Sequence, residues 1–378
     1  MRFFMGLVLA LALGVMGCSE AEGTNKWAPL DYESNPHSAK YDFSEVDSAS
    51  ADFVERWTNV DGMTLAVVRK GEGQIYEAAY GAFERDRVSL IASTSKVLSV
   101  GIILTLVDDG LLELDRPVAD YLGWGDYHPG VTVEQLLSMM AGIPELEDDE
   151  AKRASCSFDP ATTSTACARV IFQDDDQSIP PGEEFRYTEP AYTLAGGVAQ
   201  VLAGKSWEEL VRERLVAPCG LQDTAYWNTG FIPAHPDVFN PDEVAASTNP
   251  VIGGGASSTV NDYSKVLLMH LHDGVCGDTR VLSADLVRVM QQDLVPIGVA
   301  MPSWRPEAIN YGMGWWKYET QPGLLIDSGA FGARAVLHPE EGWGAILIIE
   351  SGSFVGSFLV REIVPVIRSA VLETDDGL

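Results

Sequence analysis

Positive charge is scarce in this chain: 25 Lys and Arg stand against 55 Asp and Glu in 378 residues, a formal charge of -30. A nucleic-acid backbone is bound by cations that replace its condensed counterions, so that class of partner is excluded. Anions are repelled at long range as well. No apolar run reaches the roughly 20 residues that span a bilayer. The one candidate, in MRFFMGLVLALALGVMGCSE, is shorter, follows Arg2 and reaches small residues before Cys18, the pattern of an export signal. No GxSxG elbow, HExxH pair or phosphate-binding loop occurs, and no internal repeat is visible. His270 and His272 are two apart at a helix end and face different ways, which argues against a metal pair. GGG at 253–255 lacks the strand and helix of a nucleotide fingerprint and reads as a tight turn.

What is present is a large apolar content, 46%, enough to bury one big core or two interleaved ones. Residues 1–17 read as a signal peptide, 18–50 as a polar tether without periodicity, and 51–374 as the folded domain. Val15-Met16-Gly17-Cys18 resembles the lipobox of bacterial lipoproteins, which implies lipidation at Cys18 and a membrane contact through that lipid alone. Cys156, Cys167, Cys219 and Cys276 then remain, an even number in an exported chain, which suggests disulfides with three possible pairings. Cys156 with Cys167, closing a short Thr-rich loop, and Cys219 with Cys276 are favoured over metal binding.

Met63 to Gly81 reads as a hairpin of two strands. A helix follows, stopped by Gly110, and another runs from Thr132, a candidate N-cap, to Gly142. Helical patterns continue at 192–215, broken at Gly204, and at 259–271 and 283–292. FGARAVLHP and WGAILIIES return to strands before a last apolar helix at 354–371. The class is therefore α+β: an antiparallel sheet flanked by helices, built from both chain ends (about 51–100 and 295–374), with an all-helical region inserted at about 101–294. The acidic runs at 145–150 and 174–176 read as solvated loops.

IASTSKVLSVGIILTLVDDG places Ser93 and Lys96 at i and i+3, on one face of a helix. A serine hydroxyl needs a nearby base to become a nucleophile, and a lysine serves only if burial or neighbouring charge lowers its pKa. An apolar helix supplies burial, and its N-terminus disfavours a cation while favouring a developing anion. The spacing is thus chemically sensible, although Ser-x-x-Lys is short and an N-cap serine beside a surface lysine is the simpler explanation of the pair alone.

Further segments follow in order: LDRPVADYLG, VTVEQLLSMMAGIPE, FRYTEPAYTLAGGVAQVLAG, IGGGASSTVNDYSKVLLM and LIDSGAFGARAVLHPEEGWGAILIIES. Together with Ser-x-x-Lys they make the chain resemble, from about residue 61 to its end, the serine beta-lactamase-related family of class C beta-lactamases, serine DD-peptidases and esterases. The resemblance implies attack by Ser93, proton exchange through Lys96 and Tyr187, and an oxyanion held by the backbone N–H groups of Ser93 and Ala330. It implies no metal or cofactor. Ser328 and Gly329 would border the substrate, Gly329 letting the strand approach it.

Two residues depart from the family pattern. Glu189 stands where Asn is usual, and Asp327 where Lys or His is usual. An ionised Glu189 would raise the Lys96 pKa, unless it points away, proton traffic runs through Tyr187, or Glu189 itself takes part. Asp327 would repel a substrate carboxylate unless Arg334 neutralises it. The expectation is therefore a serine hydrolase acting on a neutral or cationic ester or amide, a small molecule or peptide. A beta-lactamase or D-Ala-D-Ala carboxypeptidase is the alternative within the fold, and a non-catalytic surface binding protein the alternative outside enzymes. Oligomeric state stays open.

Overall fold

The computed structural model describes residues 40–125, 127–144, 156–174, 179–228, 239–240 and 247–373. The signal peptide, Cys18, the tether as far as residue 39, the acidic run at 145–150 and residues 175–176 of the second run lie outside the described residues.

The expected hairpin forms β1 (Gly62–Arg69) and β2 (Gly73–Gly81), joined by a turn with Gly71 at φ 79° and Gly73 at φ 87°. Short strands follow at β3 (Ser89–Leu90), β4 (Ala225–Tyr226) and β5 (Ala256–Ser258). The C-terminal part supplies β6 (Ala308–Tyr311), β7 (Trp316–Tyr318), β8 (Leu325–Ser328), β9 (Arg334–His338) and β10 (Trp343–Ile348). Seven strands make one antiparallel sheet in the order β2-β1-β10-β9-β8-β7-β6. Thr64 lies opposite Ile348 and Arg69 opposite Trp343, so the first hairpin is completed only by the last strand. β10 is buried along its whole length and β1 at all but its last residue, which is why both read as apolar runs rather than alternations.

The main helices are α1 (Ser44–Arg56), α2 (Ser95–Asp108), α3 (Val133–Leu137), α4 (Ser164–Phe172), α5 (Glu189–Ala203), α6 (Trp207–Val211), α7 (Val260–Leu271), α8 (Ala284–Met290), α9 (Ser353–Phe358) and α10 (Val364–Leu372), with single turns at Ala119–Leu122 and Ala217–Cys219. Thr132 and Ser206 close capping boxes with Gln135 and Glu209, satisfying N–H groups that have no partner within the helix. α2 is apolar on every side and is buried from Ser95 to Leu106, as such a helix must be.

Three expectations are corrected. α1 begins inside the stretch expected to be tether and buries Val46, Ser50 and Phe53; two large apolar side chains in 13 residues are too weak a period to stand out. The region expected to be all-helical also contributes β4 and β5, which pair with β3 in a second small sheet. The last helix is interrupted by π turns over Leu359–Ile363, just before Pro365, which has no N–H to continue an α-helical ladder.

Candidate active site

Ser93 occupies a single 3₁₀ turn, Ala92–Thr94, that leads into α2. Ala92 before it has φ 47°, a left-handed conformation that costs a non-glycine residue about 1–3 kcal/mol and persists only when the surroundings enforce it. The surroundings here are hydroxyl clamps. Ser95 Oγ donates to Ala92 O at 2.5 Å and accepts from the Ala256 N–H at 2.9 Å. The Tyr263 hydroxyl donates to Thr94 O at 3.0 Å, and the Tyr226 hydroxyl to Ser95 O at 3.1 Å. Strands β4 and β5 and helix α7 thus hold the turn from three sides.

Lys96 is 2% exposed. Its Nζ donates to Gly253 O at 2.7 Å and lies 3.4 Å from Ser93 Oγ, 4.6 Å from the Tyr187 ring centre and 5.1 Å from that of Tyr192. Burial acts against the ammonium, but Tyr187, Glu189 and Asp327 together outweigh it and hold the lysine above its ordinary range. The resting site therefore contains a lysinium.

Gly253, read from the sequence as part of a tight turn, is a wall of this site. The turn exists, since the Gly254 and Gly255 N–H groups donate to Val251 O. Its first glycine also accepts Lys96 on its carbonyl and donates its N–H to Glu189 Oε1 at 2.8 Å. A Cβ on Gly253 would sit 2.5 Å from Glu189 Oε2 and 3.1 Å from Lys96 Nζ. Both charged groups thus border one point, and only glycine leaves it open. Glu189 turns inward from the first position of α5, where the helix N-terminus favours a carboxylate.

Asp327 is fully buried on β8, and neither of its oxygens has a hydrogen-bond partner among the described residues. Burial pushes its carboxyl up to about 8; Lys96 and the Val97 and Ser328 amides pull the other way without closing a hydrogen bond of ordinary geometry. At neutral pH it is mostly the uncharged acid, lying under the strand, and the expected repulsion of a substrate carboxylate is not what the geometry offers. Arg334 does not neutralise it by contact. Residues directly opposite in an antiparallel pair share a face: Arg334 is opposite Ser328, and Asp327 is opposite Ala335, one residue out of phase. The Arg334 guanidinium instead binds the carbonyls of Gly329 (2.8 Å), Ala333 (2.7 Å) and Ser353 (2.6 Å), and burial pulls it down to about 10.

Beyond Asp327 the strand passes close to the nucleophile turn. A Cβ on Gly329 would lie 2.2 Å from Ile91 O, so glycine is what permits the approach. Ala330 then emerges exposed, and neither its N–H nor that of Ser93 is engaged in a backbone hydrogen bond among the described residues. Two such donors make an oxyanion hole when they converge, each contributing about 2.7–4 kcal/mol to a transition state.

Tyr187 is half-buried in an aromatic wall that no motif announced. Its ring centre is 5.2 Å from Trp316, 5.7 Å from Trp304 and 6.1 Å from Tyr311. Trp304 remains 58% exposed at the mouth. Arg305 packs over Trp316 at 4.7 Å, donates to the Tyr318 hydroxyl and reaches Ser328 Oγ at 3.5 Å. It leads into a pocket of about 370 Å³ bordered by Ser328, Arg305, Arg334, Arg361 and Glu307. None of these arginines forms an ion pair among the described residues.

The remaining candidates lie elsewhere. His270 is buried edge-on against Trp315, and His272 Nε2 accepts the Gly71 N–H at 3.1 Å, so the two do not converge. Disulfides join Cys156 to Cys167 and Cys219 to Cys276. No helix among the described residues is long and apolar enough to cross a membrane.

Known proteins share this arrangement of chain. Penicillin-binding protein 4 of Amycolatopsis lactamdurans is 30% identical over 339 residues, which cover 81% of this chain and 85% of that protein. The D-alanyl-D-alanine-carboxypeptidase/endopeptidase AmpH of Escherichia coli (strain K12) is 23% identical over 343 residues, 81% of this chain and 83% of that one. An octameric penicillin-binding protein homologue from Pyrococcus abyssi superposes with a TM-score of 0.69 at 20% identity, over 87% of this chain and 78% of that one. The Beta-lactamase family model matches residues 50–361. An antiparallel sheet closed by both chain ends, a match over most of the length and a relative at 30% identity lead to one conclusion: the chain belongs to the beta-lactamase family, whose members are serine hydrolases.

Proposed function

We propose that this protein is an exported, lipid-anchored serine hydrolase that cleaves an ester or amide through an acyl-enzyme on Ser93. The observation that carries the reading is the 3.4 Å approach of Lys96 Nζ to Ser93 Oγ inside a buried site, beside Tyr187. Lys96, having lost its extra proton, accepts the hydroxyl proton of Ser93 as Oγ adds to the substrate carbonyl. The oxyanion rests on the Ser93 and Ala330 N–H groups. Tyr187 protonates the departing alcohol or amine and is reprotonated through Lys96. Water then attacks the acyl carbonyl along the reverse path and frees Ser93. Because Lys96 lies above its ordinary range, the rate rises towards alkaline pH.

A finer reading of specificity rests on the arginine-bordered pocket beside Ser328. With Asp327 under the strand, the charge that a substrate meets there is that of Arg305, Arg334 and Arg361 against the single carboxylate of Glu307. This favours a substrate that carries a carboxylate, in place of the neutral or cationic one expected from composition. Penicillin-binding relatives suit a peptide of that kind.

A fluorophosphonate probe tests the reading: it should label the protein on Ser93, and Ser93→Ala should abolish both labelling and p-nitrophenyl acetate turnover, a loss of about a thousandfold or more. Folded protein that stays unlabelled would instead support a non-catalytic binding protein. Parallel turnover of an ester, a D-amino-acid peptide and nitrocefin separates esterase, peptidase and beta-lactamase.

A further inference from the structure

Asp327 combines full burial, two oxygens without a hydrogen-bond partner of ordinary geometry among the described residues, and a place near the Val97 amide at the start of α2. Its register opposite Ala335 turns it away from Ser328 and Arg334, and the strand packs against the turn that leads into the helix. That turn lacks a side-chain cap of its own, because Thr94 makes no such bond, and the Val97 amide lies close enough to favour a carboxylate. An anion there is aided by the helix N-terminus. The charged and titratable groups around it are Lys96 from α2, Tyr187 just before α5, Glu189 and Tyr192 from α5, Tyr226 from β4, Tyr263 from α7, Tyr311 from β6, and Arg305 and Arg334.

Leaving a buried polar group without a partner costs about 1–3 kcal/mol, and an isolated buried charge costs far more. The helix N-terminus offsets part of such a cost, and coupling to a nearby cation offsets more. Arg334 is engaged by three carbonyls on the other face of the strand, and Arg305 by the Tyr318 hydroxyl and Ser328. Lys96 is the cation enclosed with Asp327 under the strand.

We propose that Asp327 is a positioning residue whose charge governs the proton held by Lys96. Ionised, it holds that proton on the lysine and delays its release; protonated, it leaves the task to Tyr187 and Glu189. The residue does not touch substrate, and it acts on Ser93 only through Lys96. This proposal rests on the hydrolase reading above.

The experiment is the pH dependence of Ser93 labelling by the fluorophosphonate in wild type and Asp327→Asn, which keeps the shape of the side chain and removes its charge. The rising limb should move to lower pH by about one unit, so that a pH on the limb gives roughly tenfold faster labelling in the variant. A uniform loss of rate with an unmoved limb, the mark of a structural role, overturns the proposal. If the wild type is not labelled at any pH, the hydrolase reading fails and this proposal with it; superimposable profiles in labelled proteins overturn the positioning role alone. Should Asp327→Asn not fold, Asp327→Ser takes its place in the same comparison, with the same outcomes deciding.

Discussion

The two faces of strand β8 handle charge in opposite ways. Towards α2 the strand presents Asp327, a carboxyl without a hydrogen bond, enclosed with the Lys96 ammonium. Towards α9 it presents Ser328, with Arg334 opposite, in a pocket where three guanidiniums face one carboxylate, Glu307. Neighbouring residues of a strand point to opposite sides, so one step of sequence separates an acid interior from a basic pocket. The overall charge of -30 therefore does not describe the field that a substrate meets. Long-range repulsion slows an anion's arrival, whereas local guanidiniums decide whether it stays.

The largest disruption of this arrangement is expected at the residue where both faces end. Gly329→Ala would drive a Cβ to 2.2 Å from Ile91 O and force β8 away from the Ser93 turn, withdrawing the Ala330 N–H. Because a displacement of about 1 Å in a catalytic array costs roughly a hundredfold, kcat/KM for an ester should fall by about that factor while circular dichroism stays near wild type. Wild-type turnover would separate the strand end from the oxyanion hole.

A selective and smaller change should come from the basic face. Arg305→Met should raise KM roughly tenfold for an ester bearing a carboxylate, and leave a neutral ester with the same acyl group unchanged; a charge-assisted hydrogen bond contributes about 1.5–3 kcal/mol. Equal loss on both substrates would remove the pocket from substrate recognition.

A further effect concerns stability and belongs to the acid face. A carboxyl whose folded pKa lies near 8, above its unfolded value, binds more protons in the native state between the two. Stability from this group is fully present below the unfolded pKa and is lost as pH rises towards about 8. Asp327→Asn removes that dependence. Its Tm relative to wild type should therefore improve between about pH 5 and pH 9, measured by differential scanning calorimetry across that range.

Much of the fold was legible because it rests on local rules. The hairpin at 62–81, the cap at Thr132, the helix starts at 259 and 283, and the left-handed glycines at 110 and 204 follow from residue types a few positions apart. Ser93 and Lys96 were visible because three residues place them on adjoining turns. α1 was not, because its buried face holds only Val46, Ser50 and Phe53. Gly253, Trp304, Arg305, Tyr311 and Trp316 were hidden for another reason. Each reaches the site across more than a hundred residues of chain, and neither glycine nor tryptophan signals such a contact by composition. The GGG run signals a turn, which forms, but its composition does not signal the contacts that its first glycine makes with Lys96 and Glu189.

By itself the sequence determined that a Ser and a Lys share a helix start, that an antiparallel sheet uses both chain ends, and that the chain is strongly acidic. Those properties depend on spacing and counting. The tertiary structure alone decided on which side of β8 each charge lies, that Glu189 turns inward to Gly253, and that Lys96 is held as an ammonium. Burial and distance set the sign and size of an electrostatic effect, and neither exists until segments far apart in the chain have packed together.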